Sequence, residues 1–174
     1  MAQRLTAEEA VEELFELYAD EIFRYARLML QDDYLAEDIV QEVFMRVLRS
    51  WDKFREEANA KTWLWSIARN CLYDVFRKRK RSSLYFADKA LEDVQVTTPF
   101  QSLIELEESI YSLNENQRQV FILRCVQDLS VSDTAEILGW TEAKVKTTLH
   151  RAMTRLRMTL NEPDPLPQVS RRGW

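Results

Sequence analysis

TWLWSIARNCLYDVFRKRKR, residues 62–81, sorts at the helical period of about 3.6 residues into two faces and a basic end. Leu64, Ile67, Ala68, Cys71, Leu72 and Val75 form one apolar stripe, the spacing of a helix packed on a core. Trp63, Ser66, Asn70, Tyr73, Asp74 and Arg77 fall on the opposite face. A solvated face ordinarily carries small polar and charged side chains, and two aromatics with an Asn between them depart from that. Five cations then follow without a break, Arg77, Lys78, Arg79, Lys80 and Arg81. Aromatic rings stack bases, an amide reads base edges and cations hold phosphates, so the stretch suits single-stranded nucleic acid. Taken alone, it equally suits a helix at the edge of a core with a solvated basic end. The rest of the chain has to decide.

Composition favours helices throughout. The 174 residues are 46% apolar and 30% charged, with only 2 Gly and 4 Pro. So few turn-forming residues argue for helices joined by brief loops rather than many short strands. The net charge of −5 conceals a pattern. Residues 1–50 hold 12 acids and 5 bases, and residues 51–81 hold 4 and 9. Residues 82–116 hold 7 acids and 1 base, and residues 117–160 hold 4 and 7. Alternating blocks suit a protein with some surfaces for a protein partner and others for phosphate.

Several classes are disfavoured. The N-terminus is acidic and amphipathic, unlike a signal peptide, and no run reaches the ~18–20 apolar residues of a membrane span. A reducing, cytoplasmic setting fits the two cysteines, Cys71 and Cys125, read as small buried hydrophobes without a CxxC pairing. His150 is the only histidine and the glycines are Gly139 and Gly173, which leaves almost no material for a zinc site, a His-based triad or a phosphate loop. An enzyme is not expected, nor a metal or cofactor.

Upstream of the quoted stretch, Val11, Leu14, Phe15, Tyr18, Ile22, Tyr25, Ala26 and Met29 predict a helix over about 7–30, with Thr6 and Glu9 as a capping box. QDDY, residues 31–34, breaks the pattern. A second helix is expected over about 35–50, with Leu35, Ile39, Val43, Phe44, Val47 and Leu48 facing inward. Its other face lines up Asp38, Gln41, Glu42, Met45 and Arg49, which reads either as solvated surface or as a docking stripe for a basic partner. Trp51, Phe54 and the polar residues after them form a loop into the central helix.

After Arg81 the periodicity stops. Residues 82–101 read as a flexible acidic linker, with a short helix around Asp88–Leu91. Stretched out, such a linker reaches on the order of 60 Å, nearly two duplex turns of roughly 34 Å. Two flanking units could then occupy separate sites on one DNA.

The second unit carries dense helix signals. Leu103, Ile104, Leu106 and Ile110 mark one helix, and Asn114 with Gln117 opens the next, through Val126. Ser130 caps a short helix that stops at Gly139, and Thr141 caps the one after. Two helices around a Gly-containing turn, with small Ala135 where they cross, form a helix-turn-helix. In the second of them Val145, Leu149, Ala152, Leu156 and Leu160 point inward. Lys144, Thr147, His150, Arg151 and Thr154 point out, with Lys146 and Arg155 on the flanks. That is the layout of a major-groove reader with phosphate contacts at its edges. The tail, residues 161–174, has no core pattern and is expected to be disordered, with Trp174 exposed.

Residues 36–51, 61–81 and 129–157 together resemble bacterial RNA polymerase sigma factors of the extracytoplasmic-function (ECF) type. The resemblance implies an all-α protein of two small helical domains joined by the linker. A region 2 domain at 6–81 would meet core polymerase and the −10 element, and a region 4 helix-turn-helix domain at 102–160 the −35 element. It also implies that Asp38, Gln41, Glu42 and Met45 dock on the β′ clamp helices. Asn70, with Phe54 and Ile67 around it, would capture a flipped base of the non-template strand. Trp63, Tyr73, Asp74, Arg77, Lys78, Arg79, Lys80 and Arg81 complete the expected −10 surface. Lys144, Lys146, Thr147, His150, Arg151 and Arg155 would meet the −35 element, and residues 114–128 the β flap. An anti-sigma factor, often membrane-anchored, is the implied inhibitor, and a cell-envelope stress response the implied setting. The acidic N-terminal region and the middle promoter-binding domain of larger sigma factors have no counterpart in the pattern. The rival is a stand-alone helix-turn-helix regulator that uses residues 1–81 for sensing or dimerisation; a helical protein adaptor fits the two basic blocks less well.

Overall fold

The computed structural model describes residues 5–54, 59–83 and 101–160, the side chains of 82–83 and 101–104 excepted. Seven α-helices run through them: α1 Ala7–Leu30, α2 Asp33–Ser50, α3 Ala60–Ser83, α4 Gln101–Ser112, α5 Glu115–Phe121, α6 Val131–Leu138 and α7 Glu142–Thr159. A single 3-10 turn, Trp51–Lys53, follows α2, and a π-turn, Ile122–Val126, continues α5. No strand occurs among the described residues. The expected linker helix at Asp88–Leu91 and the tail from residue 161 lie outside them.

Local chemistry sets each boundary. The Thr6 hydroxyl accepts from the Glu9 amide at 3.2 Å while the Thr6 amide donates to the Glu9 carboxylate at 2.8 Å, closing the capping box of α1. Gln31, left-handed at φ 56, ends that helix and returns its N–H to the Arg27 carbonyl. Asp32 then accepts from the Leu35 amide at 2.9 Å, so α2 starts at Asp33, earlier than the apolar pattern indicates. Two residues thus reverse the chain. Asn59 likewise starts α3 at Ala60 by accepting from the Lys61 amide. Asn114, Ser130 and Thr141 cap α5, α6 and α7 as their spacing predicts. Gly139 ends α6 at φ 65, and a Cβ there would meet nothing within 4 Å. Gly139→Ala is therefore expected to lose only the left-handed strain, about 1–2 kcal/mol. Scanning calorimetry checks this, and an unchanged melting temperature would remove Gly139 as the stop signal.

α1, α2 and α3 pack through Ile22, Tyr25, Ile39, Val43, Val47, Leu64, Ala68 and Leu72, all buried. Each of the Ile, Val and Leu side chains among them contributes about 1.5–3 kcal/mol when fully buried. Trp65, off the predicted stripe, is also fully buried, with its ring edge-on to Tyr25 at 5.4 Å between centroids. Three inward assignments need correction. Phe15 is 49% exposed, meeting Phe44 only edge-on, and Leu48 is 37% exposed. Cys125 is exposed, because the π-turn shifts the register of the residues after Phe121; Cys71 is buried as expected.

The two halves are not merely tethered. Val120, Ile122, Leu123, Leu129, Ile137, Leu138 and Val145 belong to the same core cluster as the first three helices. Polar contacts edge this shared core. The Thr62 hydroxyl meets the Asp133 carboxylate at 3.1 Å, and Arg69 donates to the Leu138 carbonyl at 3.3 Å. Arg27 pairs with Glu107.

Candidate polymerase and nucleic-acid interfaces

The acidic stripe lies along α2. Asp38, Gln41 and Met45 are exposed, and Glu42 is half-buried. Glu42 accepts from Arg46 Nε at 2.7 Å, and Arg46 Nη2 donates to Asp74 on α3 at 2.8 Å. Asp74 also pairs with Arg77. These hydrogen bonds raise the Arg46 guanidinium above its ordinary value and hold the Asp74 carboxyl below its own. Exposed Met45, Leu48 and Phe15 give the acidic stripe an apolar margin, which the sequence pattern assigned largely to the core.

The predicted −10 residues divide between several environments. Phe54, 8% exposed, stacks on Trp51 at 5.0 Å, and Trp63 lies 4.8 Å from Phe54. Trp51 anchors this trio by donating to the Leu5 carbonyl at 3.0 Å. Ile67 is half-buried beside the core and Asn70 is exposed, within 3.4 Å of Arg69. Tyr73 points elsewhere. Its hydroxyl donates to Gln119 of α5 at 3.2 Å, and its ring lies under the Arg69 guanidinium at 4.5 Å. Trp63 and Tyr73, placed on one outward face by the period, thus join two different clusters.

The basic end is similarly divided. Arg79 reaches the Leu30 carbonyl at 3.2 Å and Asp32 at 3.6 Å, fastening the end of α3 to the α1–α2 turn. Arg77 pairs with Asp74. All five cations, Arg77 to Arg81, remain exposed.

On α7 the outward set holds together. Lys144, Thr147, His150, Arg151 and Arg155 are exposed, whereas Lys146 is half-buried, 3.9 Å from Glu142. The Lys144 ammonium lies over the Trp140 ring at 3.7 Å. Beside them a cleft of about 430 Å³ opens between α5 and α7, lined by Asn114, Asn116, Gln117, Lys144, Thr147 and Arg151 among others. Asn116 and Gln117, expected as part of the 114–128 flap segment, line this cleft as well, which a polar first turn does not reveal because it looks like ordinary capping.

Segment 114–128, in the second half, packs against the first. Gln119 is fully buried, its amide donating to the Tyr25 hydroxyl at 2.9 Å while its oxygen accepts from Tyr73. Gln127 donates to the Glu21 carbonyl at 3.1 Å, and Arg118 to the Met29 carbonyl at 3.3 Å. Burial pushes the Tyr25 hydroxyl far above its ordinary range, so it stays protonated.

Two family models match the chain, sigma-70 region 2 over residues 14–82 and sigma-70 region 4 over residues 103–156. The ECF sigma factor SigX of Bacillus subtilis is 34% identical over 161 residues, covering 86% of this chain and 83% of SigX. The sigma factor YlaC of the same organism is 30% identical, covering 88% of this chain and 94% of YlaC. The sigma factor RpoE of Bartonella quintana, solved in complex with the anti-sigma factor NepR, superposes with a TM-score of 0.78 at 26% identity. That alignment covers 88% of this chain and 98% of RpoE. A stand-alone helix-turn-helix regulator would not account for the region 2 match. With both regions matched in order and relatives aligned over most of their length, the chain belongs to the ECF-type sigma factors, which direct RNA polymerase in transcription initiation.

Proposed function

We propose that each exposed surface has a separate part in initiation. The observation that carries this is the single face of α7, where Thr147, His150, Arg151 and Arg155 stand exposed beside a cleft rather than against the core. On this reading those residues, with Lys144 and Lys146, meet the −35 element from a domain at 102–160. A domain at 6–81 docks through Asp38, Gln41, Glu42 and Met45 on the β′ clamp helices. Exposed Asn70, one helical turn after Ile67 and two after Trp63 of the Phe54 trio on α3, captures an unstacked base of the −10 element. Segment 114–128 meets the β flap. The chain acts by binding rather than catalysis, in the cytoplasm beside the polymerase; none of its described helices is long and apolar enough to cross a membrane. An anti-sigma factor holds it in check, as the NepR complex of its structural relative suggests, and a cell-envelope stress response is the setting.

A pull-down with core polymerase followed by run-off transcription tests the whole reading. Asn70→Ala tests its finest part. The variant is expected to keep its fold and its grip on core polymerase, because an exposed Asn adds little to a core. Promoter opening, read by permanganate reactivity of melted thymines, should fall several-fold, since base capture offsets an unstacking cost of a few kcal/mol. A pre-melted bubble template should recover part of the loss. Normal opening on duplex DNA would end the pocket assignment.

A further inference from the structure

Arg46 belongs to neither the docking stripe of α2 nor the −10 set of α3, yet it touches both. Its Nε donates to Glu42 at 2.7 Å and its Nη2 to Asp74 at 2.8 Å, while Arg77 pairs with the other oxygen of Asp74. Four charges thus form a chain of alternating sign from α2 to α3, and the guanidinium fork joins the two helices in it. We propose that Arg46 is a positioning residue for both surfaces. It restrains Glu42 on the polymerase side and neutralises Asp74 on the DNA side, so that phosphate can displace Asp74 from Arg77. The inference deepens the proposed function, and rests on Glu42 as a clamp contact and Arg77 as part of the −10 surface.

The placing of Asp74 calls for such a partner. It follows Asn70 by four residues and precedes Arg77 by three, so a carboxylate shares the helix face that is to meet a phosphate backbone. Carboxylate and phosphate repel, and a cation held against Asp74 removes that cost. Were Arg77 the sole partner, every phosphate would compete with Asp74 for it; its side chain is 71% exposed. Arg46, at 35%, is more enclosed and is held by two hydrogen bonds without occupying a DNA-facing cation. Arg46, ahead of Arg77, also holds the Asp74 carboxyl below its ordinary value. The two carboxylates respond to the loss of Arg46 in opposite senses. Glu42 gains attraction for a basic partner, and Asp74 draws Arg77 to itself. One substitution should therefore tighten one interface and loosen the other, which no general loss of folding does.

Arg46→Met keeps the apolar stem and removes the fork. Fluorescence anisotropy with the labelled full chain measures its affinity for core polymerase. DNA capture is measured at saturating core enzyme on a fork template, single-stranded along the −10 non-template strand and built on the promoter used in run-off transcription. Arg46→Met should bind core polymerase roughly threefold more tightly and hold the fork roughly threefold more weakly, the scale of a partly exposed ion pair. Adding Asp74→Asn should restore fork binding and leave the gain on core enzyme, because it removes the carboxylate that Arg46 neutralised. Arg46→Lys should show both shifts at reduced size, since one ammonium cannot hold two carboxylates in the fixed geometry of a guanidinium. Circular dichroism verifies folding, and Arg46→Lys replaces Arg46→Met if the latter does not fold. Equal affinities of parent and variant, shifts of the same sign, or no rescue by Asp74→Asn overturn the bridge and leave the sigma assignment standing. A parent that fails to bind core polymerase, or binds it as well with Asp38→Arg and Gln41→Arg combined, overturns the docking reading, and the bridge with it.

Discussion

Core polymerase should lose its hold on the chain when Asp38→Arg and Gln41→Arg are combined. Both side chains are exposed on α2, and neither forms an ion pair with a described residue. Glu42 is the weaker choice for reversal, because it orders Arg46 and, through it, Asp74. A basic partner would then meet like charge where it had met an acid and an amide. Juxtaposed like charges cost several kcal/mol, which corresponds to a loss of at least about a hundredfold in affinity. Fluorescence anisotropy with labelled chain and core enzyme at moderate salt measures it. The melting temperature should not move. Affinity within threefold of the parent would place the polymerase contact elsewhere.

Trp65→Ala should lower the stability of the whole chain by about 3–5 kcal/mol, the range for truncating a buried Trp. Trp65 is fully buried against Tyr25, whose hydroxyl accepts from Gln119 of the other half. The loss should appear as one cooperative transition in urea, because one apolar cluster runs through both halves. Trp65→Phe should be far milder. The indole nitrogen is buried without a hydrogen-bond partner, so replacing it leaves no new polar group unpaired. Two separate transitions, or a loss below about 1 kcal/mol, would contradict the shared core.

Helix boundaries were readable because they depend on neighbours three or four residues away. Thr6 with Glu9, Asn114, Ser130, Thr141 and Gly139 each act locally, and each appears where its spacing predicts. Asp32 was hidden in QDDY, where two acids and an amide look like a simple interruption. The outward face of α7 was legible for the same local reason. Gln119 and Gln127 were not. A glutamine on an amphipathic helix reads as surface, and only the partner helix, about a hundred residues away in the chain, makes it core. Trp63 and Tyr73 fail in the opposite sense. Periodicity gives the direction in which a side chain leaves its helix, and cannot tell that Phe54 and Gln119 will be waiting in different places.

The fastening of α3 to its neighbours bears on how binding should respond to salt. Five consecutive cations would release about 0.7 counterions per phosphate contact on single-stranded DNA. Arg77 and Arg79 already have Asp74 and Asp32 as anions, and a phosphate meeting either displaces a carboxylate rather than a mobile ion. From Arg77 and Arg79 alone, the logarithmic salt slope contributed by this end should thus be shallower by at least about 1.4 than that of a run without fixed counter-charges. Asp32→Asn and Asp74→Asn should steepen it again, turning two fixed counter-charges into mobile ones.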